Sequence, residues 1–395
     1  MTEQASVADI TRRHAVRFIV LLGVVSLFAD MTYEGARSIT GPYLALLGAS
    51  ATAVGFVAGF GELVGYALRL LSGYVSDRTG RYWAVTIFGY CLNLLAVPLL
   101  ALTGSWEAAA VLVVVERMGR AVRTPARDAM LSHAAGHTGL GWGFGLHEAL
   151  DQIGAVFGPL TVAAVIAFGD GYRTAFAILL VPAVLALSVL LAARFTYPRP
   201  KDFDLTPPDF TGRGLPRTFW VYLGAVAFIA AGYADFPLIA YHFGKAGIMP
   251  AAWIPVVYAA AMATDALAAL ILGRWFDRVG LGAMAIATLG SALAAPLAFL
   301  GGPALAVAGM ALWGIGMGAQ ESIMRAAIAQ FAPPDRRGTA YGVFNAVYGV
   351  AWFTGSVALG ALYDWSIMAL VIASILLQAA AMPGLVWLSL PRARS

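Results

Sequence analysis

The chain has 395 residues, of which 60% are hydrophobic and only 12% charged. A soluble domain averages roughly 45–50% apolar and about 25% charged residues, so this composition excludes a soluble enzyme, a disordered chain and a nucleic-acid binder. The formal charge of +4 is too slight to suggest a polyanion partner, and the single cysteine, Cys91, leaves no intramolecular disulfide or thiolate metal cluster.

A multi-span membrane protein remains. A bilayer core of about 30 Å needs roughly 20 apolar helical residues per crossing. Apolar stretches between Gly, Pro and charged punctuation predict twelve spans, near 17–41, 51–73, 82–103, 106–130, 141–168, 172–193, 218–243, 251–273, 281–300, 303–330, 340–362 and 366–390. An all-α fold is expected, because backbone polar groups in lipid must pair internally and these Gly/Ala-rich runs do not alternate like barrel strands.

Loop charge sets the orientation. With the amino terminus inside, cytoplasmic segments hold sixteen Lys and Arg residues, among them Arg12, Arg13, Arg17, Arg78, Arg81, Arg274, Arg278, Arg336 and Arg337. The outer loops hold only Arg173 and Lys245. This asymmetry predicts an even number of spans with both termini cytoplasmic. No cleavable signal peptide is expected, since the first apolar run is too long and lies behind a polar tail. The longest hydrophilic stretch, 194–217, contains Pro198, Pro200, Pro207, Pro208 and Pro216. It predicts a cytoplasmic linker between an N-terminal six-helix bundle over 1–193 and a C-terminal one over 218–395.

The two halves align on themselves. Gly73-Tyr-Val-Ser-Asp77-Arg78-Thr-Gly80 returns as Gly273-Arg-Trp-Phe-Asp277-Arg278-Val-Gly280, and the same 200-residue offset lays Tyr33 on Tyr233. An offset of 197 places Gly119 on Gly316, Gly145 on Gly342 and Gly158 on Gly355. A parallel repeat of this size predicts two six-helix bundles around a central cavity.

The loop motif, closed by Arg81, resembles the loop 2–3 signature of the major facilitator superfamily, and the run from Gly273 to Gly280 resembles its second-half echo. Glu116-Arg117-Met118-Gly119 resembles the fourth-helix arginine motif of that superfamily. Gly145, Gly154 and Gly158-Pro159 resemble the fifth-helix antiporter motif, without its usual closing Gly-Gly (Val162-Ala163 here). The resemblance implies a transporter resembling bacterial proton-coupled drug or solute antiporters. It also implies that Asp77, paired with basic groups and a helix end, holds one state closed at the cytoplasmic side. Arg78 and Arg81 read equally as positive-inside anchors. Gly154 and Gly158 share a helix face suited to close packing; Gly145 falls on the other side.

A charge at the bilayer centre costs roughly 2.5–3.5 kcal/mol even on the lenient scale, so intramembrane charges must pair or line water. Asp30, Glu34 and Arg37 fall on one face of the first span, and Glu62 and Arg69 are seven apart in the second. Glu116, Arg120, Arg123 and Arg127 form a stripe on the fourth, with Arg117 and Asp128 beside it. His147, Glu148 and Asp151 cluster within about one turn of the fifth span. The second half is sparser: Asp235, His242, Asp265, Glu321 and Arg325.

This asymmetry suggests proton handling in the first half. The proton-coupling candidates are Asp30 and Glu34, with Arg117 the partner implied by the resemblance, then Glu148 and Asp151, with His147 as a relay. Candidate cavity residues are Tyr33, Arg37, Glu62, Tyr66, Arg120, His147, Tyr233, Asp235 and Phe236, since aromatic walls suit amphipathic or cationic ligands. Arg123, Arg127 and Asp128 read as fixed pairs near the cytoplasmic end. His133 and His137 are expected in a loop, and His14 and His242 as solvated boundary residues.

The expectation is proton-driven efflux of a small amphipathic solute, without cofactor or metal, by a monomer in a bacterial-type inner membrane. The alternative is an uptake symporter or uniporter for an anionic molecule held by the buried arginines. No nucleophile elbow or metal motif suggests an enzyme.

Overall fold

Pro and Asp residues inside apolar runs decide where the helices of this chain break. The computed structural model describes residues 2–136, 138–169, 171–197, 214–333 and 336–390. Most of the expected 194–217 linker lies outside those residues, as do His137 and the extreme carboxyl terminus. All regular structure among the described residues is helical.

The first half contains α1 (Thr2–Leu46), α2 (Ala51–Thr79), α3 (Tyr82–Leu99), α4 (Trp106–Gly136), α5 (Leu140–Ala167), α6 (Tyr172–Ile178) and α7 (Leu180–Thr196). The second half contains α8 (Arg217–Gly232), α9 (Phe236–Lys245), α10 (Trp253–Val279), α11 (Gly282–Ala292), α12 (Ala294–Leu300), α13 (Pro303–Ala319), α14 (Arg325–Phe331), α15 (Arg337–Trp365), α16 (Ile367–Ala380) and α17 (Met382–Ser389). His133, expected in a loop, is on α4, because the helix runs past the last apolar turn.

Among the described residues, ten helical stretches are long and apolar enough to cross a membrane. The other two expected spans, near 106–130 and 303–330, are also helical. The first carries Glu116, Arg117, Arg120 and Arg123. The second is interrupted by a π-helical turn, Gln320–Met324, between α13 and α14. Large apolar side chains such as Leu102, Phe168, Leu270 and Trp365 stand exposed, as a lipid-facing surface allows.

The expected seventh span, 218–243, is not continuous. Asp235 has extended backbone, and its carboxylate accepts the Phe236 N–H at 2.8 Å, with Pro237 following. An Asp N-cap followed by Pro in the first turn starts a new helix, so the chain breaks between Gly232 and Phe236.

The helices form two compact units. One comprises residues 1–36, 68–103 and 111–206; the other comprises 37–67, 104–110 and 207–395. In the first unit, Phe18, Leu22, Tyr90, Leu94, Met130 and Leu190 pack into one buried cluster drawn from α1, α3, α4 and α7. In the second, Tyr222, Tyr233, Phe236, Tyr258 and Trp313 are buried. Phe236 packs against Tyr258 with ring centres 4.1 Å apart and planes tilted by 32°, and the Trp313 indole donates to the Ala234 carbonyl.

Glycine sets how close the helices come. A Cβ on Gly158 would run into the Met31 backbone, and one on Gly119 into the backbone of Asn93. The second unit repeats both contacts: a Cβ on Gly355 would meet the Ala231 backbone, and one on Gly316 the Ser291 side chain. The repeat therefore extends to helix packing. Gly80 and Gly280, which close the two loop motifs, both have φ +63°, a left-handed turn favouring glycine.

Candidate functional site

The charged residues of the first unit converge on Asp30, in the middle of α1. Asp30 is 3% exposed, and its Oδ1 has no hydrogen-bond partner among the described residues. Glu34, Arg120, Arg123 and Asp151 lie within electrostatic reach of it. Gly154 permits this convergence: a Cβ there would meet both the Leu27 backbone and Cβ of Asp30, so α5 crosses α1 closely beside the carboxylate. Asp151, one turn earlier on α5, also has an Oδ1 without a partner among the described residues.

Around this centre the arginines pair and stack. Arg120 reaches Glu34 at 3.8 Å, with its guanidinium 4.3 Å from the centre of the Tyr33 ring. Arg123, 1% exposed, lies 4.3 Å over Tyr90 and 5.7 Å over Tyr33. Its Nε and one terminal nitrogen have no partner among the described residues. Arg117, expected to serve Asp30 and Glu34, pairs with its neighbour Glu116 at 3.4 Å, and Glu116 also accepts from the Asn93 amide at 2.7 Å. Arg120 and Arg123, three and six residues beyond Arg117 on α4, lie within electrostatic reach of Asp30.

His147 is buried and lies 2.9 Å from the Ser26 hydroxyl. Arg127 donates to the same hydroxyl at 3.2 Å and pairs with Asp128 at 2.8 Å. Of the pairs expected near the end of the arginine stripe, Arg127–Asp128 is present and Arg127 also reaches one residue that spacing did not single out, Ser26, whereas Arg123 turns to Tyr90 and Tyr33. Glu148, by contrast, is exposed and accepts from Gln152.

In the second unit Arg37 donates to Asp235 at 2.9 Å. The indole N–H of Trp352 points at the other Asp235 oxygen, 3.5 Å away. Asp235 is thus both a helix cap and one half of a buried ion pair. Tyr233 donates through its hydroxyl to the Trp313 carbonyl. Tyr66 packs edge-on against Tyr348 at 5.4 Å, and Glu62 is half-buried one turn before Tyr66. His242, expected to be solvated, is buried and bonded to the Tyr363 hydroxyl at 3.0 Å, since the short helix α9 turns it inward.

The loop motif is exposed at Asp77, Arg78 and Arg81, as it is at Asp277 and Arg278. Asp77 accepts from the Tyr82 hydroxyl at 3.1 Å, and Arg78 donates to Tyr74 at 2.8 Å. A Cβ on Gly73 would make ordinary contact with Pro125. Gly145 faces open space, unlike Gly154 and Gly158. Pro159 follows Gly158 inside α5.

The family model of the Major Facilitator Superfamily matches residues 22–356 and 219–395. An uncharacterized protein of Mycobacterium tuberculosis is 45% identical over 385 residues, 96% of this chain and 94% of the relative. An uncharacterized MFS-type transporter of Methanocaldococcus jannaschii is 27% identical over 371 residues, 90% of each chain. Among solved structures, a mutant of the nucleoside transporter NupG superposes with a TM-score of 0.78 at 14% identity, covering 93% of this chain and 99% of that one. A mutant of the peptide transporter POT gives 0.76 at 15%, covering 95% and 94%. Helices too apolar for water, a sequence repeat kept in the packing, and a full-length family match lead to one conclusion: the chain belongs to the major facilitator superfamily, as a multi-pass membrane protein that performs secondary transport rather than enzymatic chemistry.

Proposed function

We propose that this transporter exports a small amphipathic solute in exchange for protons, by alternating access. In this reading the chain crosses an inner membrane twelve times with both termini cytoplasmic, as two six-helix bundles over 1–193 and 218–395. It works as a monomer, with the proton gradient as its energy source and no resident cofactor.

The observation that supports proton coupling is Asp30. A carboxylate buried in a membrane helix, with one oxygen unanswered, is costly unless it carries a proton for part of the cycle. Two guanidiniums and two further acids within reach allow ionised and neutral forms to alternate as helices shift. Glu34 and Arg120 form the adjoining pair, and Asp151 is the second acid of the group. Glu148, being exposed, is the weaker of the two coupling candidates on α5. His147 shares the Ser26 hydroxyl with Arg127, so in this reading it serves as a hydrogen-bonding group beside the acids. The tight approach of Gly154 and Gly158 to α1 supports the antiporter reading of the fifth helix.

The test is accumulation of amphipathic cations, neutrals and anions in cells lacking their main efflux pumps, with and without a protonophore. The protein should lower accumulation of one class, and the protonophore should restore it. Raised accumulation would favour the second reading, uptake of an anionic solute. What favours that reading is Arg123, buried with two nitrogens that have no partner among the described residues.

A further inference from the structure

On three helices of the first unit the polar residues stack in tiers. Ser26, Asp30 and Glu34 lie four apart on α1, and His147 and Asp151 four apart on α5; Arg120, Arg123 and Arg127 follow at three and four on α4. Such spacings keep each set on one helix face, with neighbours about 6 Å apart along the axis. The helices match the sets tier by tier. Glu34 meets Arg120 at 3.8 Å. One turn on, Asp30 lies within electrostatic reach of Arg123 and Asp151. One turn further, Ser26 meets Arg127 at 3.2 Å and His147 at 2.9 Å. Asp151 is also within electrostatic reach of Arg127, which ties the second tier to the third. Arg127 pairs with Asp128, whose side chain is 42% exposed.

The shared architecture does not require this column. At the 200-residue offset Ser26 and Asp30 become Val226 and Ala230, and at the 197-residue offset Arg127, His147 and Asp151 become Met324, Phe344 and Tyr348. The second unit keeps the close glycine contacts of the repeat without the acids, the guanidinium or the imidazole.

The members of the column differ in what they can do with a proton. A guanidinium keeps its protons, so Arg120, Arg123 and Arg127 supply charge and geometry only. Carboxylates, a hydroxyl and an imidazole can each take a proton up and give one away. The second tier holds two such acids, and Oδ1 of Asp30 and of Asp151 has no partner among the described residues. The third tier holds a hydroxyl and an imidazole in contact, both buried. Arg127 can only donate to the Ser26 oxygen, which leaves the hydroxyl proton for the imidazole. Beyond them, Asp128 reaches water.

We propose that Asp151, His147, Ser26 and Asp128 form the path by which a proton carried on Asp30 leaves for the cytoplasmic side. The Asp30 O–H bond breaks as one forms on the Asp151 carboxylate. Asp151 passes the proton to His147 across one helical turn, a gap that a single water spans. The imidazole gains a proton on one ring nitrogen and loses one from the other, with the Ser26 hydroxyl as carrier on the Nε2 side. Asp128 accepts it and releases it to bulk water. The net change is one proton lost from Asp30 and one gained by the cytoplasm. This path rests on the proposed function in taking Asp30 as the proton carrier and this end of the helices as cytoplasmic.

The test needs no solute, because it follows Asp30 itself in the full-length protein in lipid nanodiscs. The infrared carboxylic-acid band that Asp30→Asn lacks is recorded after a flash releases protons from a caged compound. Ser26→Ala and His147→Gln are each expected to slow the rise of that band about tenfold or more and to leave its final size unchanged. Ser26→Thr, which keeps the hydroxyl, should restore most of the rate. A merely structural Ser26 or His147 would change how much of Asp30 is protonated at equilibrium rather than how fast. Asp128→Asn, at the exposed end, should slow the band about threefold and leave the melting temperature at that of the parent. Parent rates in Ser26→Ala and His147→Gln overturn the path and leave Asp30 standing as the carrier, and a parent rate in Asp128→Asn overturns it equally. If no Asp30-dependent band responds in the parent, the carrier itself fails and the path falls with it.

Discussion

Arg37 and Asp235 illustrate how one buried contact ties local structure to stability. Asp235 caps α9 and answers Arg37 at 2.9 Å, so its removal takes away both a helix cap and this buried ion pair. Breaking a buried pair from one side costs about 3–5 kcal/mol, whereas replacing both partners by apolar residues is often neutral. Arg37→Leu alone is therefore expected to lower the melting temperature in detergent clearly, and Arg37→Leu with Asp235→Leu to recover part of the loss. Full recovery is not expected, because the cap on α9 stays missing and is worth about 1 kcal/mol. Asp30 should behave in the opposite way. Its Oδ1 has no partner among the described residues, so Asp30→Asn removes the proposed proton carrier while keeping the size of the side chain. The expected outcome is unchanged folding and membrane insertion, read by size-exclusion profile and melting temperature, with loss of gradient-driven transport.

At the scale of helices, packing rather than the hydrophobic effect drives association, because lipid is as apolar as the side chains. The backbone approaches at Gly158 to Met31 and at Gly355 to Ala231 are therefore the contacts least able to accept a side chain. Gly158→Val and Gly355→Val are each expected to reduce the amount of folded protein recovered, while Gly145→Val should match the parent. Comparable recovery for all three would show that these crossings do not hold the bundle. Much of this was legible in the sequence: the repeat offsets located both glycine contacts, and the i, i+4 relation separated Gly154 and Gly158 from Gly145. The break before α9 was not found, because an apolar window averages over Asp235 and Pro237. The cap signal, Asp followed by Pro within the first turn, was present and would have marked it. The π-turn at Gln320 carries no comparable signal, since one extra residue per turn leaves composition unchanged. Spacing put Arg117, Arg120 and Arg123 near one stripe but could not say which would approach Asp30; that depends on where α1 crosses α4.

For the whole molecule, the internal repeat and the uneven charge point to two halves of shared architecture and divided labour. Loop arginines concentrate on the side expected to be cytoplasmic, with Arg173 and Lys245 on the other. In a Cys91→Ala background, cysteines placed at Lys201 and Ser395 are expected to resist a membrane-impermeant thiol reagent applied to intact cells, and one at Gly247 to react. Labelling of Lys201→Cys or Ser395→Cys from outside would overturn the twelve-span topology with internal termini.

Coupling to protons at Asp30 is the claim on which the functional account turns. The most direct measurement is proton movement in proteoliposomes carrying a trapped pH-sensitive dye, after adding to one side the amphipathic solute that the accumulation assay identifies. Parent protein is expected to move protons against the solute only when that solute is present, and Asp30→Asn, inserted to the same level, to move none. Solute-dependent proton flux of parent size in Asp30→Asn would contradict the account, and solute flux without any proton movement in the parent would do so equally.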